Sequence, residues 1–260
     1  MARVIAVTNQ KGGVGKTTTA VNLAACLAAA EKRTALVDID PQGNATSGLG
    51  ISREGPGPYI YEVLMGEAKA SEALCAGAIP ALQVLPSNPA LLGAEIELAA
   101  VEGREQRLKK ALEELLPDYT YILVDCPPSL GLLTLNALTA AHSILVPLQC
   151  EYYALEGLTH LLTTLHLVRR SFNPDLEIEG LLFTMYDGRL SLNRQVLENV
   201  RRNFPGRVFQ TLIPRSIRLS EAPSFGKPVI LYDLRSAGAE AYLNLAKEVI
   251  DETTGTRSGS

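Results

Sequence analysis

The sequence predicts an α/β protein built on a doubly wound, mostly parallel sheet with helices on both faces. Short runs rich in Val, Ile and Leu alternate with longer segments of helical periodicity. Most of the short runs are continuously apolar rather than alternating, as expected of parallel strands covered on both sides. The chain has 260 residues, 47% apolar and 20% charged, which suits a large hydrophobic core.

Seven strands are expected in chain order: Arg3–Thr8, Thr34–Asp38, Leu82–Pro86, Tyr121–Asp125, Ser143–Pro147, Glu179–Thr184 and Val208–Leu212. Helices are expected at Lys16–Ala30, which opens on Thr17, Thr18 and Thr19, and at Glu105–Leu116, where Leu108, Leu112 and Leu115 share a face. A further helix at Ala154–Arg170 repeats Leu155, Leu158, Leu162 and Leu165 at intervals of three and four. Strand–helix–strand succession calls for right-handed crossovers. Gly48–Gly77 is the least regular stretch, and its Gly55-Pro56-Gly57-Pro58 is a turn signal, so it reads as a surface loop or a hinge.

No repeat or linker divides the chain, so residues 1–252 are expected to form one domain and residues 253–260 a disordered tail. Met1–Thr8 reads as the first strand rather than a signal peptide. No run approaches the roughly 18 apolar residues of a membrane helix, so no membrane association is expected and the cytoplasm is the default location. Cys26, Cys75, Cys126 and Cys150 lack CxxC spacing or a nearby His, which reads as four structural thiols in a reducing compartment.

The first expected strand runs into Asn9-Gln10-Lys11-Gly12-Gly13-Val14-Gly15-Lys16-Thr17-Thr18. This matches the phosphate-binding G-x-x-x-x-G-K-[ST] loop at Gly15, Lys16 and Thr17, but has Gln10 where the first glycine would be. The physics survives that departure. Glycines let successive backbone N–H groups face phosphate oxygens, and a helix starting near Lys16 adds partial positive charge. Lys16 then reaches the β- and γ-phosphates and the Thr17 hydroxyl ligates Mg²⁺, the pattern of a P-loop ATPase using ATP. Lys11 is the oddity. At the front of the loop it is poorly placed to duplicate Lys16. Two readings stand: a solvated lysine, or one that meets the nucleotide of a second copy of the chain as an arginine finger does.

Two acidic motifs follow. Asp38 and Asp40 end a strand two residues apart and would point the same way. At the C-terminal end of a parallel strand they border the ligand crevice, where one would orient a water or hold Mg²⁺ through water; turn-capping aspartates are the alternative. Tyr121–Asp125 is an apolar strand ending in Asp125, the pattern of a carboxylate that meets Mg²⁺ directly or through water.

Net charge is −4, yet Tyr186–Arg235 carries nine basic residues against four acidic ones, a local +5, while the rest holds fifteen against twenty-four, or −9. Such a field attracts polyanions; solvated helix faces are the bland alternative.

Taken together, Lys11–Thr18, Asp38-Ile39-Asp40-Pro41-Gln42-Gly43-Asn44-Ala45-Thr46 and Asp125-Cys126-Pro127-Pro128-Ser129 closely resemble the deviant-Walker-A partitioning ATPases of the ParA/Soj type. Gln149–Gly157, Ile213-Pro214-Arg215 and Arg218–Ser224 match as well, and the resemblance runs from Arg3 to about Ile250. It implies an ATP-dependent sandwich homodimer, nucleoid-associated through non-specific binding to double-stranded DNA. A ParB/Spo0J-type centromere-binding protein would stimulate its otherwise slow hydrolysis and release it. On this chain the resemblance makes Lys11 the lysine that reaches the partner's nucleotide and Gly12 the residue that must stay small where two loops meet. Gly13, Val14, Gly15, Lys16, Thr17 and Thr18 complete the phosphate and Mg²⁺ site. Asp40 positions the attacking water, and Asp125 is the Walker B group. Arg189 and Arg218 match DNA-binding positions, and Met185 and Pro214 match strand ends flanking the adenine; within the basic segment, Lys227 and the Arg201-Arg202 pair are candidates for added phosphate contacts.

Three rivals are separable. A MinD-type membrane-associated positioning ATPase needs an amphipathic C-terminal helix, and Asp251–Ser260 shows no apolar face. An iron–sulfur reductase of the nitrogenase iron-protein kind would use Cys126 but needs a second suitable cysteine. A nucleotide-switched DNA coat would turn over ATP only incidentally.

Overall fold

The computed structural model describes residues 2–151 and 154–255; Tyr152, Tyr153 and the 256–260 part of the expected tail lie outside the described residues. The chain runs β1 (Arg3–Val7), α1 (Lys16–Ala29), β2 (Thr34–Asp38), α2 (Asn44–Gly48), α3 (Ile60–Met65), α4 (Ala70–Ala73) and β3 (Cys75–Ala76). It continues through β4 (Leu82–Leu85), α5 (Leu91–Leu98), a 3₁₀ turn (Arg104–Gln106), α6 (Arg107–Leu112), β5 (Tyr121–Asp125), α7 (Leu132–Ala140), β6 (Ser143–Gln149), α8 (Ala154–Ser171) and β7 (Glu177–Thr184). The last part holds α9 (Ser191–Asn203), α10 (Ile217–Glu221), a 3₁₀ turn (Ala222–Phe225), α11 (Val229–Tyr232) and α12 (Ala237–Gly255).

The strands form one sheet in the order β3-β4-β2-β5-β1-β6-β7, parallel except for β3 against β4. Successive side chains of a strand point to opposite faces, and both faces are packed. Val4, Ala6, Val37 and Val124 enter one apolar cluster with α3, α5, α6 and α7. Ile5, Val7, Leu36 and Leu123 enter the other, with α1 and α12. Every residue of β2 and β5 is therefore buried, and each fully buried aliphatic side chain stabilises the fold by about 1.5–3 kcal/mol.

Central position also shapes α1. It lies between the sheet and α12, so Leu23 and Leu27 are fully buried and Thr19 shares a 3.2 Å hydroxyl hydrogen bond with Tyr242. Its Asn22 donates to the Thr18 carbonyl and accepts from the Val229 amide, tying α1 to α11.

From β1 the sheet extends to β5 and β2 on one side and to β6 and β7 on the other. The crevice at the carboxyl ends of these strands is where an open α/β sheet receives a ligand.

Four expectations need correction. Val208–Leu212 is not a strand. Val208 makes an isolated bridge to Leu181, and Phe209 and Ile213 donate to the carbonyls of Leu181 and Phe183. Between them the amides of Gln210 and Thr211 turn to the Glu248 carboxylate on α12, at 2.9 and 2.7 Å, which interrupts the ladder. The helix expected over Glu105–Leu116 is a 3₁₀ turn followed by α6, ending at Leu112. Within Gly48–Gly77 the chain forms α3, α4 and β3. Tyr59 N–H donates to Glu62 at 2.8 Å, which satisfies an otherwise unpaired amide at the start of α3. The final helix also extends to Gly255, so residues 253–255 are helical.

Candidate functional site

β1 stops because its edge partners change character. Thr8 N–H still reaches the Leu145 carbonyl, but the next residue turns its side chain back: Asn9 Nδ2 donates to the Pro147 carbonyl at 2.7 Å, and Asn9 Oδ1 accepts from Lys11 N–H. The loop then passes through the left-handed region at Gly13 (φ 74°) and Gly15 (φ 86°), conformations that glycine adopts without strain. Its carbonyls are taken from behind. Gln149 Nε2 donates to the Gly13 carbonyl and Thr184 Oγ1 to that of Val14, each at 2.8 Å. Val14 itself buries its side chain in the core.

Among the described residues, none of the backbone N–H groups from Gly12 to Thr18 donates to another part of the chain. Gly15 caps α1 in a left-handed conformation, and the first turn holds no acidic residue that would offset the helix dipole. These amides line a cavity of about 300 Å³ with Lys16, Asp40, Gln42, Asn44 and Pro128. Such a nest of donors at a helix N-terminus binds anions. A second cavity, of about 370 Å³, shares Gly15 and Thr18 with the first and is walled by Thr184, Met185, Ile213 and Pro214. Met185 has φ 50°, an uncommon conformation for a residue with a side chain, and its sulfur accepts from Gln149 Nε2.

The two lysines are held by contacts within the chain. Lys16 is 7% exposed and its Nζ donates to the Lys11 carbonyl at 3.0 Å. Burial pushes its ammonium below the usual lysine range, against the pull of Asp125, Cys126 and Asp40. Lys11 Nζ forms an ion pair with the Glu151 carboxylate, both side chains about half exposed.

The aspartates divide their roles. Asp38 and Asp125 are register neighbours on β2 and β5, both fully buried. The Asp38 carboxylate is saturated within the turn that follows it. It accepts from Thr46 N–H and Thr46 Oγ1 at 2.8 and 2.6 Å and from Asp40 N–H at 3.2 Å. Burial still raises its carboxyl to about 6, with the Asp40 charge adding to the rise. Asp38 is thus the turn-holding member of the pair. Asp40, at the mouth, accepts only from Gln42 N–H at 2.9 Å.

Asp125 differs from both. Among the described residues, neither of its oxygens is engaged in a well-formed hydrogen bond, and the Thr17 hydroxyl is the one donor turned toward it. Burial and the neighbouring Asp38 drive its carboxyl well above the ordinary carboxylate range, countered by the Thr17 hydroxyl and Lys16 facing it. A buried carboxylate left this way lacks a cation or a further donor. Among the described residues, no three acidic, His or Cys side chains cluster tightly enough to hold a metal alone. The arrangement fits a hard divalent cation shared between Asp125, the Thr17 hydroxyl and ligand oxygens.

Gly12, Gly13, Gly15, Lys16, Thr17, Thr18 and Asp40 therefore converge on one cavity, with Asp125 behind them and Met185 and Pro214 at the adjoining one. Arg189 and Arg218 lie elsewhere and are not joined to each other. Arg189, 90% exposed in its side chain, pairs with Asp187 at 2.7 Å. Arg218 on α10 pairs with Glu221 and Asp233 at 2.8 and 3.2 Å. Lys227 borders a third cavity with Thr17, Asn44 and Ala222. Cys126 is fully buried, its thiol directed to the Val124 carbonyl and held protonated by burial, so it does not face a partner across the crevice.

Sequence reasoning missed the groups that grip the loop and its lysines: Gln149, Thr184 and Glu151. All three stand at the carboxyl ends of parallel strands or just beyond, and Gln149 and Glu151 also lie in the family-matching Gln149–Gly157 segment, which gave them no role of their own.

Comparison with known proteins agrees with this geometry. The model of an AAA domain family matches residues 2–178. The chain is 58% identical over 249 residues to the sporulation initiation inhibitor protein Soj of Bacillus subtilis, covering 96% of this chain and 98% of that protein. It is 56% identical over 254 residues to the chromosome partitioning protein ParA of Myxococcus xanthus, covering 98% and 90%. Among solved structures, cobyrinic acid a,c-diamide synthase from Mycobacterium smegmatis with bound ADP and magnesium superposes with a TM-score of 0.86 at 40% identity, covering 98% of this chain and 96% of that one.

Proposed function

The chain belongs to the Soj/ParA family of chromosome-partitioning ATPases, and on that premise we propose that it is an ATP-gated DNA-binding switch. The amides from Gly12 to Thr18 cradle a triphosphate, Lys16 neutralises its β- and γ-oxygens, and the adenine enters the cavity walled by Met185 and Pro214. Thr17 directly and Asp125 through water would hold Mg²⁺, which when bound would supply positive charge against the phosphate oxygens. Asp40, also within reach through water, orients the attacking water with the one carboxylate at the mouth not committed to fold contacts beyond its own turn.

Lys11 exchanges Glu151 for the nucleotide of a second copy, and Gly12 leaves room for the two loops to meet. Dimerisation places two sets of Arg189, Arg218 and Lys227 along one duplex. Their contacts are to phosphates, so binding is non-specific and falls with salt. Nucleoid association follows from that binding. A ParB-type centromere-binding partner accelerates hydrolysis and returns the chain to the DNA-free form.

The observation that carries the reading is the pairing, among the described residues, of seven unused amides with a buried carboxylate that no well-formed hydrogen bond satisfies. Light scattering and DNA-binding anisotropy under ADP and under ATP with Mg²⁺ test it. ATP alone should double the mass and confer DNA binding, and Asp40→Ala should then remain on DNA far longer than the parent. A chain that stays monomeric with Mg²⁺ and a slowly hydrolysed ATP analogue, or an Asp40→Ala variant that leaves DNA as fast as the parent, contradicts it.

A further inference from the structure

The turn that carries Asp40 is closed by a ring of hydrogen bonds drawn from three places in the chain. Asp38 Oδ1 accepts from Asp40 N–H at 3.2 Å, and Asp38 Oδ2 accepts from Thr46 Oγ1 at 2.6 Å. Thr46 Oγ1 in turn accepts from Ser87 N–H at 2.9 Å, and Ser87 Oγ donates to the Asp40 carbonyl at 2.8 Å. The ring thus begins and ends on Asp40, holding both its backbone N–H and its carbonyl. Asp38, Thr46 and Ser87 are each fully buried, so no water competes for these bonds. Gly43 N–H adds a second donor to the Asp40 carbonyl at 2.8 Å. Arg53 closes the outer side, donating to the Pro41 carbonyl at 2.7 Å across Gly43, where a Cβ would stand 2.2 Å from Arg53 Nε.

The construction fixes a backbone while leaving its carboxylate at the cavity mouth. Ser87 gains nothing for the phosphate cradle, since it does not line that cavity; its contacts all serve the turn. We infer that Thr46 and Ser87 are positioning residues for hydrolysis, setting where the Asp40 carboxylate stands relative to the attacking water. The inference rests on the reading of Asp40 given above. Neither residue lines the phosphate cavity, so their effect belongs on turnover rather than on ATP binding. Misplacing a catalytic group by about 1 Å costs on the order of 100-fold in rate, which sets the scale for losing the ring.

The test compares Thr46→Val, which keeps the shape and removes the hydroxyl, with Thr46→Ser, which keeps the hydroxyl. Hydrolysis should fall on the order of 10- to 100-fold in Thr46→Val, with KM for ATP within about twofold of the parent, and Thr46→Ser should restore it. In nucleotide-free protein the Asp40 and Ser87 amides should be protected from hydrogen exchange in the parent and in Thr46→Ser, and lose protection in Thr46→Val. Should Thr46→Val not fold, Ser87→Ala removes the donor to the Asp40 carbonyl and reads the same quantities. The inference fails if the folded hydroxyl-free variant turns over like the parent while Asp40→Ala is inactive, or if Thr46→Ser is as slow as Thr46→Val. If Asp40→Ala itself turns over like the parent, the reading of Asp40 is wrong and this inference goes with it.

Discussion

Replacing Arg189 by alanine tests the proposed DNA-binding face through its salt dependence. The Arg189 side chain is 90% exposed and Asp187 is its partner, so the guanidinium bears no part of the core and its loss leaves the fold intact. Each cation–phosphate contact contributes about 0.9 to the slope of log affinity against log salt, and the proposed ATP-bound dimer would present two copies, so Arg189→Ala should lower the slope by about 1.8. Between about 50 and about 200 mM salt that difference narrows the gap between parent and variant roughly 12-fold. Asp187 adds a second effect. Arg189 holds its carboxyl down to about 2, and without that partner the carboxylate still carries its charge at neutral pH and faces the phosphates. Arg189→Ala should therefore lose more at low salt than the contact alone, and Asp187→Asn in the same chain should restore part of the loss. Fluorescence anisotropy with a random-sequence duplex, titrated at four or more salt concentrations with ATP and Mg²⁺, reads both quantities. Parallel lines for parent and Arg189→Ala, differing only in offset, would refute the assignment of Arg189 to a phosphate.

Three further outcomes follow from the geometry. The Asp125 carboxyl is raised in the folded state, so its ionised form opposes folding: its contribution favours the fold below the ordinary carboxylate pKa and is lost as pH rises through the raised value. Asp125→Asn should accordingly raise the Tm of nucleotide-free protein by an amount that grows as pH rises above the ordinary carboxylate range, and abolish the further rise expected from Mg²⁺ with ATP in the parent; a pH-independent difference in differential scanning fluorimetry contradicts this. A Cβ on Gly12 would meet nothing within 4 Å, so Gly12→Val should keep the parent's Tm and ATP affinity yet stay monomeric in light scattering with a slowly hydrolysed analogue. Glu248→Ala removes the acceptor for Gln210 and Thr211 N–H and should cost about 2 kcal/mol in urea denaturation; a loss within experimental error would mean that water replaces the carboxylate there.

The strands at the centre of the sheet were legible because burial on both faces writes itself as an unbroken apolar run. Thr34–Asp38 and Tyr121–Asp125 match their expected limits, and the loop from Lys11 to Thr18 follows from glycine spacing alone. What was not legible depends on partners distant in sequence. Val208–Leu212 has the residues of a strand, but Glu248, some 37 positions on, takes two of its amides. The short helices α3 and α4 hold too few residues to show a period, and the Gly-Pro run before them signals a turn for its own four residues only. Lys11 offered two readings because its cis partner, Glu151, stands 140 residues away. Ser87 gave no signal beyond following the end of β4, since a serine after a strand is ordinary and its meaning arises only where β4 lies beside β2.

The acids and the bases of the crevice are held by different means, and this division suits a switch. Asp38 and Asp125 are placed by strand register, and Asp40 by a ring that closes on its own backbone. Moving any of them means breaking buried hydrogen bonds or the sheet itself, at about 1–3 kcal/mol for each buried group left unsatisfied. The lysines rest on exchangeable contacts instead: Lys16 on one carbonyl of its own loop, and Lys11 on a half-exposed carboxylate, an ion pair of the kind that contributes about 0–1 kcal/mol. Nucleotide arrival therefore has a stationary acidic frame and movable cations to work with. Lys16 need only leave the Lys11 carbonyl to follow the phosphates. That departure frees the front of the loop at Lys11, so one event at the phosphate site loosens the lysine proposed to reach a second copy. Coupling between binding and pairing thus requires no rearrangement of the sheet, only the sequential release of two weak contacts that share Lys11.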